Sequence, residues 1–524
     1  MKTHIVSLVG GLALAIGTLA CDNSSLPTIN TNPNNPIDAP AGPVFTNAVV
    51  TGAHWVGNGR DLRSTEWITQ HLAEAQYPQE DQYSRLQGPD TYTWFDAAYY
   101  QELQDLRKVI QKGEAEQNPK IWGPATVMQI WVFEYMTDLW GDIPYSQALG
   151  LDSIGGTLTP AYDKQQDIYA SFFTRLTAAV QAMETPSDSS SLGTADPLYG
   201  GDVTKWVKFA NSLRMRLAMR IVNVDPADAN TQLAAALADP GGVFTSNNDN
   251  AQISWPGDGQ FDNPWADNFE TRDDHRMSQT LMNAMLANDD PRIPIYAQPV
   301  QDSSLFPGGY GGMPNGLSQA AAGAYLNTAS RPGVIFYPGA TSYGTYGDGS
   351  GLKYPSKLMT YAEVMFIEAE AAERSMGGLT PAQAATDYYA AIQASMDQWG
   401  VTDQAAVVTF LGKPGVAYTP GTPGLDEIAV QKWIALYGDG TQAWAEWRRT
   451  CQPVTLHAGP AAIVNFIPRR FEYSQTEYTT NAANVQAALT DMGGPDDFAT
   501  RMWWDSNPTA APTHTSSCNE PTGP

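Results

Sequence analysis

Apolar residues recur along most of this chain at the three-to-four-residue spacing of a helix buried on one side. From Val203 to Val222 the residues Trp206, Phe209, Ala210, Leu213, Leu217 and Ile221 fall on one stripe. Lys205, Lys208 and Arg216 lie along one flank of it and Arg214 on the other, where they are predicted to pair with carboxylates of neighbouring helices while their stems cover apolar surface. Leu358 to Arg374 repeats the pattern through Leu358, Ala362, Met365, Phe366, Ala369 and Ala372, with Glu363, Glu370 and Glu373 off the stripe. Pro124 reads as a first-turn residue before Val127, Ile130, Trp131, Phe133, Tyr135 and Leu139, with Gly141 as terminator, so this helix is predicted to be buried on most sides. Asp138 and Asp142 are predicted to hold the Gly141 to Tyr145 turn through backbone donors. Thr380-Pro381-Ala382-Gln383 is a capping-box signature for a helix carrying Tyr388, Ile392 and Met396 and ending at Gly400. Glu427 to Tyr437 and Thr441 to Thr450 form a pair split by Gly438-Asp439-Gly440, and the spacing of Trp433, Trp444 and Trp447 predicts that all three are buried there. The fold class is therefore mainly α, a scaffold of tetratricopeptide-like helix pairs, although the consensus residues and the roughly 34-residue period of that repeat are missing.

Between the helical halves, from about residue 242 to 355, the chain turns to Gly, Pro, Asn and aromatics, as in Gly308-Gly309-Tyr310-Gly311-Gly312 and Tyr343-Gly344-Thr345-Tyr346-Gly347. Long loops on a rigid scaffold are where recognition usually sits. A sugar ring presents an apolar C–H face and a polar rim, which flat aromatic side chains beside Asn, Asp or Gln can hold in water. Trp255, Trp265, Tyr310, Tyr325, Tyr337, Tyr343 and Tyr346 are the candidate ligand-binding residues, their Gly neighbours being expected to leave ring faces open.

Composition narrows the function classes. The chain has 524 residues, 42% of them hydrophobic and 16% charged, and its 46 Gly and 37 Pro imply long, turn-rich connections. A net charge of -26 with no basic run repels polyphosphate and excludes nucleic acid as a partner; it equally excludes a polybasic grip on an anionic bilayer. Membrane attachment must then be covalent, and the first residues supply the means. Lys2 precedes an apolar stretch from Ile5 to Ala20 that is shorter than the ~20 residues of a membrane span, and it ends in Thr18-Leu19-Ala20-Cys21. Residues 1–20 read as a lipoprotein signal peptide, Cys21 as the lipidated residue, and the Asn/Pro/Thr-rich stretch 21–43 as a tether followed by turns. With Cys21 acylated, Cys451 and Cys518 remain, either as a disulfide or as two free thiols.

Motifs for catalysis are missing. The sequence contains no H-E-x-x-H, G-x-S-x-G, phosphate-binding loop or paired C-x-x-C, and its six His are scattered, so neither a metal site nor a cofactor is expected. Asp273-Asp274-His275 beside Arg272 could be read as a carboxylate–imidazole constellation, but neighbouring positions are not all expected to converge on one point. The expectation is a binding protein and not an enzyme. The alternatives are a lipid-anchored helical hydrolase and a periplasmic helical-repeat scaffold that binds only protein.

Several blocks, in order, carry a resemblance. Met136-Thr137-Asp138-Leu139-Trp140-Gly141-Asp142-Ile143-Pro144-Tyr145, Lys208-Phe209-Ala210-Asn211-Ser212-Leu213-Arg214-Met215-Arg216 and Tyr361-Ala362-Glu363-Val364-Met365-Phe366-Ile367-Glu368-Ala369-Glu370 are the first three. Gln431-Lys432-Trp433-Ile434-Ala435-Leu436-Tyr437, Trp444-Ala445-Glu446-Trp447-Arg448-Arg449-Thr450, Pro468-Arg469-Arg470-Phe471 and Trp503-Trp504-Asp505 follow. Together they resemble the SusD/RagB-like nutrient-binding outer-membrane lipoproteins over nearly the whole mature chain, with residues 44–524 as the SusD/RagB-like domain. Where that family tends to place Gly after Arg-Arg-Thr, this chain has Cys451, so the local turn is open to differing, and a bond to Cys518 is one of the two states left open above. The resemblance implies a surface-exposed, lipid-anchored protein that captures oligosaccharides or peptides and delivers them to a TonB-dependent (SusC-like) outer-membrane transporter.

Cys21→Ser is expected to release the protein from the membrane fraction with its melting temperature unchanged, because a segment like 21–43 contributes little packing. Retention of the variant in outer membranes washed at high salt would overturn the lipid anchor.

Overall fold

The computed structural model describes residues 39–54, 61–86, 89–150 and 156–505. The proposed signal peptide, Cys21, most of the tether and Cys518 lie outside the described residues. Among those described, the principal helices are α1 (Ala41–His54), α2 (Pro89–Ala98), α3 (Gln104–Ala115), α4 (Pro119–Trp140), α5 (Gln165–Glu184), α6 (Val203–Arg220) and α7 (Pro226–Leu237) in the first half. In the second half they are α8 (Tyr361–Glu373), α9 (Pro381–Gln398), α10 (Thr422–Ala435) and α11 (Gly440–Thr450). Consecutive helices pack as pairs, α3 on α4, α4 on α5, α5 on α6 and α6 on α7, then α8 on α9 and α10 on α11, while α6 also meets α4 and α8. Strand is scarce. The pairs are β1 (Leu72–Glu74) with β5 (His275–Met277), β2 (Ile143–Pro144) with β3 (Tyr162–Asp163), β4 (Ala251–Ile253) with β8 (Ser356–Met359), and β6 (Ala340–Thr341) with β7 (Gly344–Thr345), all antiparallel.

Helix starts follow local chemistry. Helix α4 begins five residues before Pro124, at Pro119, because Asn118 caps it by accepting from the Lys120 N–H, and Pro124 sits inside the helix. Leu358 belongs not to α8 but to β8, which pairs with β4; the helix starts only after Thr360, whose hydroxyl accepts from the Glu363 N–H. At Thr380 the capping box with Gln383 is present as expected. Trp433, Trp444 and Trp447 are buried as their spacing predicts.

Charge, not only grease, fills the space between these helices. On α6, Arg216 grips Glu363 of α8 with two bonds (2.6 and 2.7 Å) and lies 3.4 Å from Glu134 of α4. One turn on, Arg220 donates to Asp138 of α4 at 3.1 Å and to Glu446 of α11 at 3.1 Å. Glu446 also takes Lys432 of α10 (3.2 Å) and Arg449 (2.5 Å), and Arg449 closes on Glu370 of α8 with two bonds of 2.6 Å. All these side chains are buried. Of the cations read on the flanks of the α6 pattern, Arg216 pairs between helices as expected and Lys208 pairs with Asp249 at 2.9 Å; Arg214 instead binds the Gln232 amide and Lys205 the Asn248 carbonyl.

Asp138 and Asp142 do not hold the turn after α4. Asp138 is spent on Arg220, the Tyr169 hydroxyl and the Trp504 indole, and Asp142 accepts the Gln165 N–H at the start of α5. The turn is held from across the β2–β3 pair by Asp163, which accepts from the backbone of Tyr145 and Ser146. Cys451 ends α11 in the left-handed conformation (φ +60°) that glycine adopts most easily, and it is disulfide-bonded; Cys518, the candidate partner for it, lies outside the described residues.

Arg216→Met strands Glu363 without its cation and leaves Glu134 only Arg220 at 4.0 Å, and breaking a buried pair by removing one partner costs about 3–5 kcal/mol. A urea titration should show that loss; a variant as stable as the parent would show that the pair contributes nothing.

Stability should also depend on pH in a defined way. Burial pushes Asp81 and Glu368 up to about 7 and Asp142 to about 6, so ionising them opposes folding. Their contribution is fully present below the ordinary carboxylate range near ~4.3 and is lost as pH rises through 6 to 7. Burial would raise Glu370 as well, but Arg449 and Arg374 override it and hold it near 2, so its contribution is present above ~4.3 and lost as pH falls towards 2. Melting temperature is expected to peak between about pH 4 and 5 and to fall on both sides. A profile flat from pH 5 to 8 would contradict the raised set.

Candidate functional site

The β1–β5 pair sets the site. Its register places Glu74 opposite His275, and the Ala75 N–H donates to the Asp274 carbonyl at 2.8 Å, so the loop after β1 runs beside the segment entering β5. Gln76 and Tyr77 come from the first of these, and Thr271, Arg272, Asp273 and Asp274 from the second. A third element, the β6–β7 hairpin, brings Tyr343 over them. Together these residues line a cleft of about 270 Å³.

Two aromatic rings stand at its mouth, Tyr77 at 54% and Tyr343 at 51% exposure. Exposed aromatics flanking a polar floor are not demanded by packing. Tyr77 is backed by the Arg272 guanidinium, 5.3 Å from its ring centroid. Arg272 in turn donates from Nε to both Asp274 oxygens (3.1 and 2.8 Å) and lies 3.5 Å from Glu74 and 3.7 Å from Glu80. Burial alone would raise Asp274; the His275 ring, whose Nδ1 is 3.0 Å away, and Arg272 reverse this and hold it well below the usual carboxylate range. Glu74 goes the other way, raised by burial and by the Asp274 charge. It accepts the Gln76 and Tyr77 N–H groups at 3.1 and 3.3 Å and so fixes the loop that carries Tyr77.

Arg272, Asp274 and His275 do meet, Arg272 and Asp274 lying just before β5 and His275 at its first position, but the four neighbours do not all converge. Asp273 is the member that turns away, to Arg331 at 2.6 and 2.7 Å. The ligand atoms of Glu74, Asp274 and His275 lie within 4.8 Å of one another, a spacing that would suit a metal ion, but Arg272 already supplies the positive charge there.

The hairpin is held from behind. Arg331, fixed by Asp273, lies 4.3 Å over the Tyr346 ring, and the Tyr346 hydroxyl donates to the Tyr343 carbonyl at 3.0 Å. At the tip, Gly344 takes φ +145°, a conformation that L side chains rarely adopt, and the Ser342 N–H donates to the Glu270 carbonyl at 2.9 Å.

Of the seven aromatics expected to bind ligand, Tyr343 alone lines this cleft, and Tyr346 supports it from below. Trp255, Trp265 and Tyr337 are buried in the core: Trp255 donates its indole N–H to Ser356, Trp265 packs 4.5 Å from Phe336, and Tyr337 stacks on Phe269 at 4.6 Å. Tyr310 and Tyr325 are half-buried against the core. The glycines explain the difference. A Cβ on Gly351 would meet the Tyr337 backbone at 2.4 Å and one on Gly347 its Cβ at 2.7 Å, so these glycines let the chain close onto the ring where they were expected to leave it open. Tyr77 and Gln76 lie far upstream of the loop-rich segment, and no local motif marks them.

The comparisons with known proteins agree with this arrangement of helices. A SusD-like family model, described as "Starch-binding associating with outer membrane", matches residues 33–474. No curated protein matches the chain. Among solved structures, it is similar to a chitin-binding protein at 28% identity and TM-score 0.76, over 90% of this chain and 100% of that one. It is similar also to a chitin-binding SusD homolog from Flavobacterium johnsoniae (27% identity, TM-score 0.73, 89% and 98% covered). A SusD homolog from Bacteroides uniformis follows at 25% identity and TM-score 0.72, with 89% and 100% covered. A mainly helical chain with paired helices and a loop-built surface cleft is thus the class of molecule in hand. The protein belongs to the SusD-like family. No helix among the described residues is long and apolar enough to cross a membrane.

Proposed function

We propose that the protein is a lipid-anchored, cell-surface glycan-binding protein that delivers oligosaccharides to a TonB-dependent outer-membrane transporter. The observation that carries this reading is the cleft between Tyr77 and Tyr343. Two exposed phenol rings over an Arg272–Asp274 floor match what a pyranose offers, apolar faces for the rings and hydroxyls for the charged rim. The family description names starch, and two similar structures are titled chitin-binding, so maltooligosaccharides and chitooligosaccharides are the ligands to try first. Both are uncharged, in keeping with a floor whose charges are already paired within the protein. Family membership supports a binding protein over the hydrolase alternative.

Titration calorimetry with the soluble chain beyond Cys21 tests this. Tyr77→Ala and Tyr343→Ala are each expected to weaken binding by tens-fold, about 2 kcal/mol, with melting unchanged. Unchanged affinity in both would move the site elsewhere, and release of shortened products would overturn the binding-only reading. For the transporter, the lipidated chain solubilised from outer membranes should bring a TonB-dependent barrel with it, and recovery of the chain alone would contradict delivery to one.

A further inference from the structure

A second cleft, about 470 Å³ in volume, opens where α2 passes into α3, and its lining includes none of the residues of the Tyr77–Tyr343 site. The join is a π-helical turn, Tyr99–Leu103, a local widening found often at functional positions. Tyr100, in that turn, is 63% exposed, and Leu158, from the loop before β3, lines the same cleft at 81%. Exposed large apolar side chains lining one concave surface mark a binding site more often than an accident of packing.

The polar lining has one sign. Asp96, about one turn before Tyr100, gives one carboxylate oxygen to the Ser474 hydroxyl; Glu477 gives one of its own to the Tyr162 hydroxyl and the Asn481 amide. Among the described residues the other oxygen of each has no hydrogen-bond partner, and no Lys or Arg lines the cleft. The hydroxyl of Tyr99 reports the same field: burial first, then Glu477, with Tyr473, Asp163 and Asp96 behind it, push it well above its ordinary value. Gln104 and Gln147 complete the rim with amides suited to sugar hydroxyls.

We propose that this cleft is a second glycan subsite, selective for amine-bearing sugars such as glucosamine oligomers, with Tyr100 as the stacking platform and Asp96 and Glu477 receiving the ammonium group. The chemical class rests on the glycan reading above. The site itself rests on separate residues. An uncharged sugar would leave both carboxylates uncompensated, whereas an ammonium supplies what the lining lacks and gains charge-assisted hydrogen bonds.

The test uses the soluble chain, glucosamine tetramer and N-acetylglucosamine tetramer. In a Tyr343→Ala background, glucosamine tetramer is expected to bind still, to be lost by at least tenfold in affinity on adding Tyr100→Ala, and to weaken as salt rises. Asp96→Asn with Glu477→Gln should remove the preference for the amine while the melting temperature holds. Loss of all glucosamine binding with Tyr343→Ala alone would place that ligand in the first cleft and overturn the proposal. So would equal affinity for the two tetramers, or displacement of neither by Tyr100→Ala. A Leu-Lys-Leu-Lys peptide that binds this cleft in preference to the sugar would assign it to protein and overturn the proposal likewise. If N-acetylglucosamine and maltose oligomers fail to bind the parent while glucosamine tetramer binds and depends on Tyr100, the first-cleft reading falls and this one stands.

Discussion

The ladder of buried charge on α6 is the constraint on which the helical scaffold depends. Arg216 and Arg220, four residues apart, face Glu134 and Asp138 at the same spacing on α4, and each reaches on to a further helix, Arg216 to Glu363 of α8 and Arg220 to Glu446 of α11. Hydrophobic contact is nearly indifferent to small slides of one helix along another, while a buried carboxylate without its cation costs several kcal/mol. The ladder therefore sets the rotation and axial position of α4, α6, α8 and α11 together. Where it ends, Arg448 continues the same logic differently. It is packed 3.9 Å from the Trp444 ring centroid and 4.7 Å from that of Trp504 and gives its protons to the Asp138 and Arg469 carbonyls, so aromatic faces and backbone oxygens surround it.

Fixing those helices fixes the loops. Segment 242–355 is stitched down by β4 against β8 and by β5 against β1, and further along it Tyr296, Met313, Phe336 and Tyr337 are buried. Tyr77, Arg272 and Tyr343 come from three distant stretches of sequence, yet each is positioned by backbone pairing or by buried ion pairs reaching back to the core. The cleft is assembled on rigid supports, so a ligand entering it has little loop ordering to accomplish.

The helices were legible in the sequence because each carries its own period and caps: the stripe of Trp206, Phe209, Leu213 and Leu217, and the Thr380–Gln383 box, need no knowledge of the rest of the chain. Pro119 and Pro124 show where such reading slips, since the Asn118 cap decides which of two prolines opens the helix. The site was much less legible. Tyr343 was one of seven aromatics that the sequence could not tell apart; exposure separates it from Trp265 and Tyr337, and exposure is set by what the neighbouring glycines allow the backbone to do. Tyr77 could not be named at all, because its partnership with Arg272 spans the β1–β5 pairing, which local sequence does not encode. Arg216 was recognisable as a paired cation, while its partners Glu134 and Glu363 lie too far away in the chain for periodicity to find them.

The hairpin tip is held by the Thr341 hydroxyl, which donates to the Gly344 carbonyl and accepts the Tyr343 N–H, by the Ser342 N–H on the Glu270 carbonyl, by the Tyr346 hydroxyl on the Tyr343 carbonyl and by the Tyr346–Arg331 contact, and none of these bonds uses the Tyr343 ring. Its side chain is thus decoupled from the stability of the turn that displays it. A lineage meeting a new polysaccharide could exchange this one residue by a single-codon change, trying Trp, His or Asn in turn, without first acquiring a compensating mutation. With Tyr343 contacting the ligand as proposed, related chains are expected to diverge faster at the tip than at Arg216 and Arg220, whose buried ion pairs admit no such exchange.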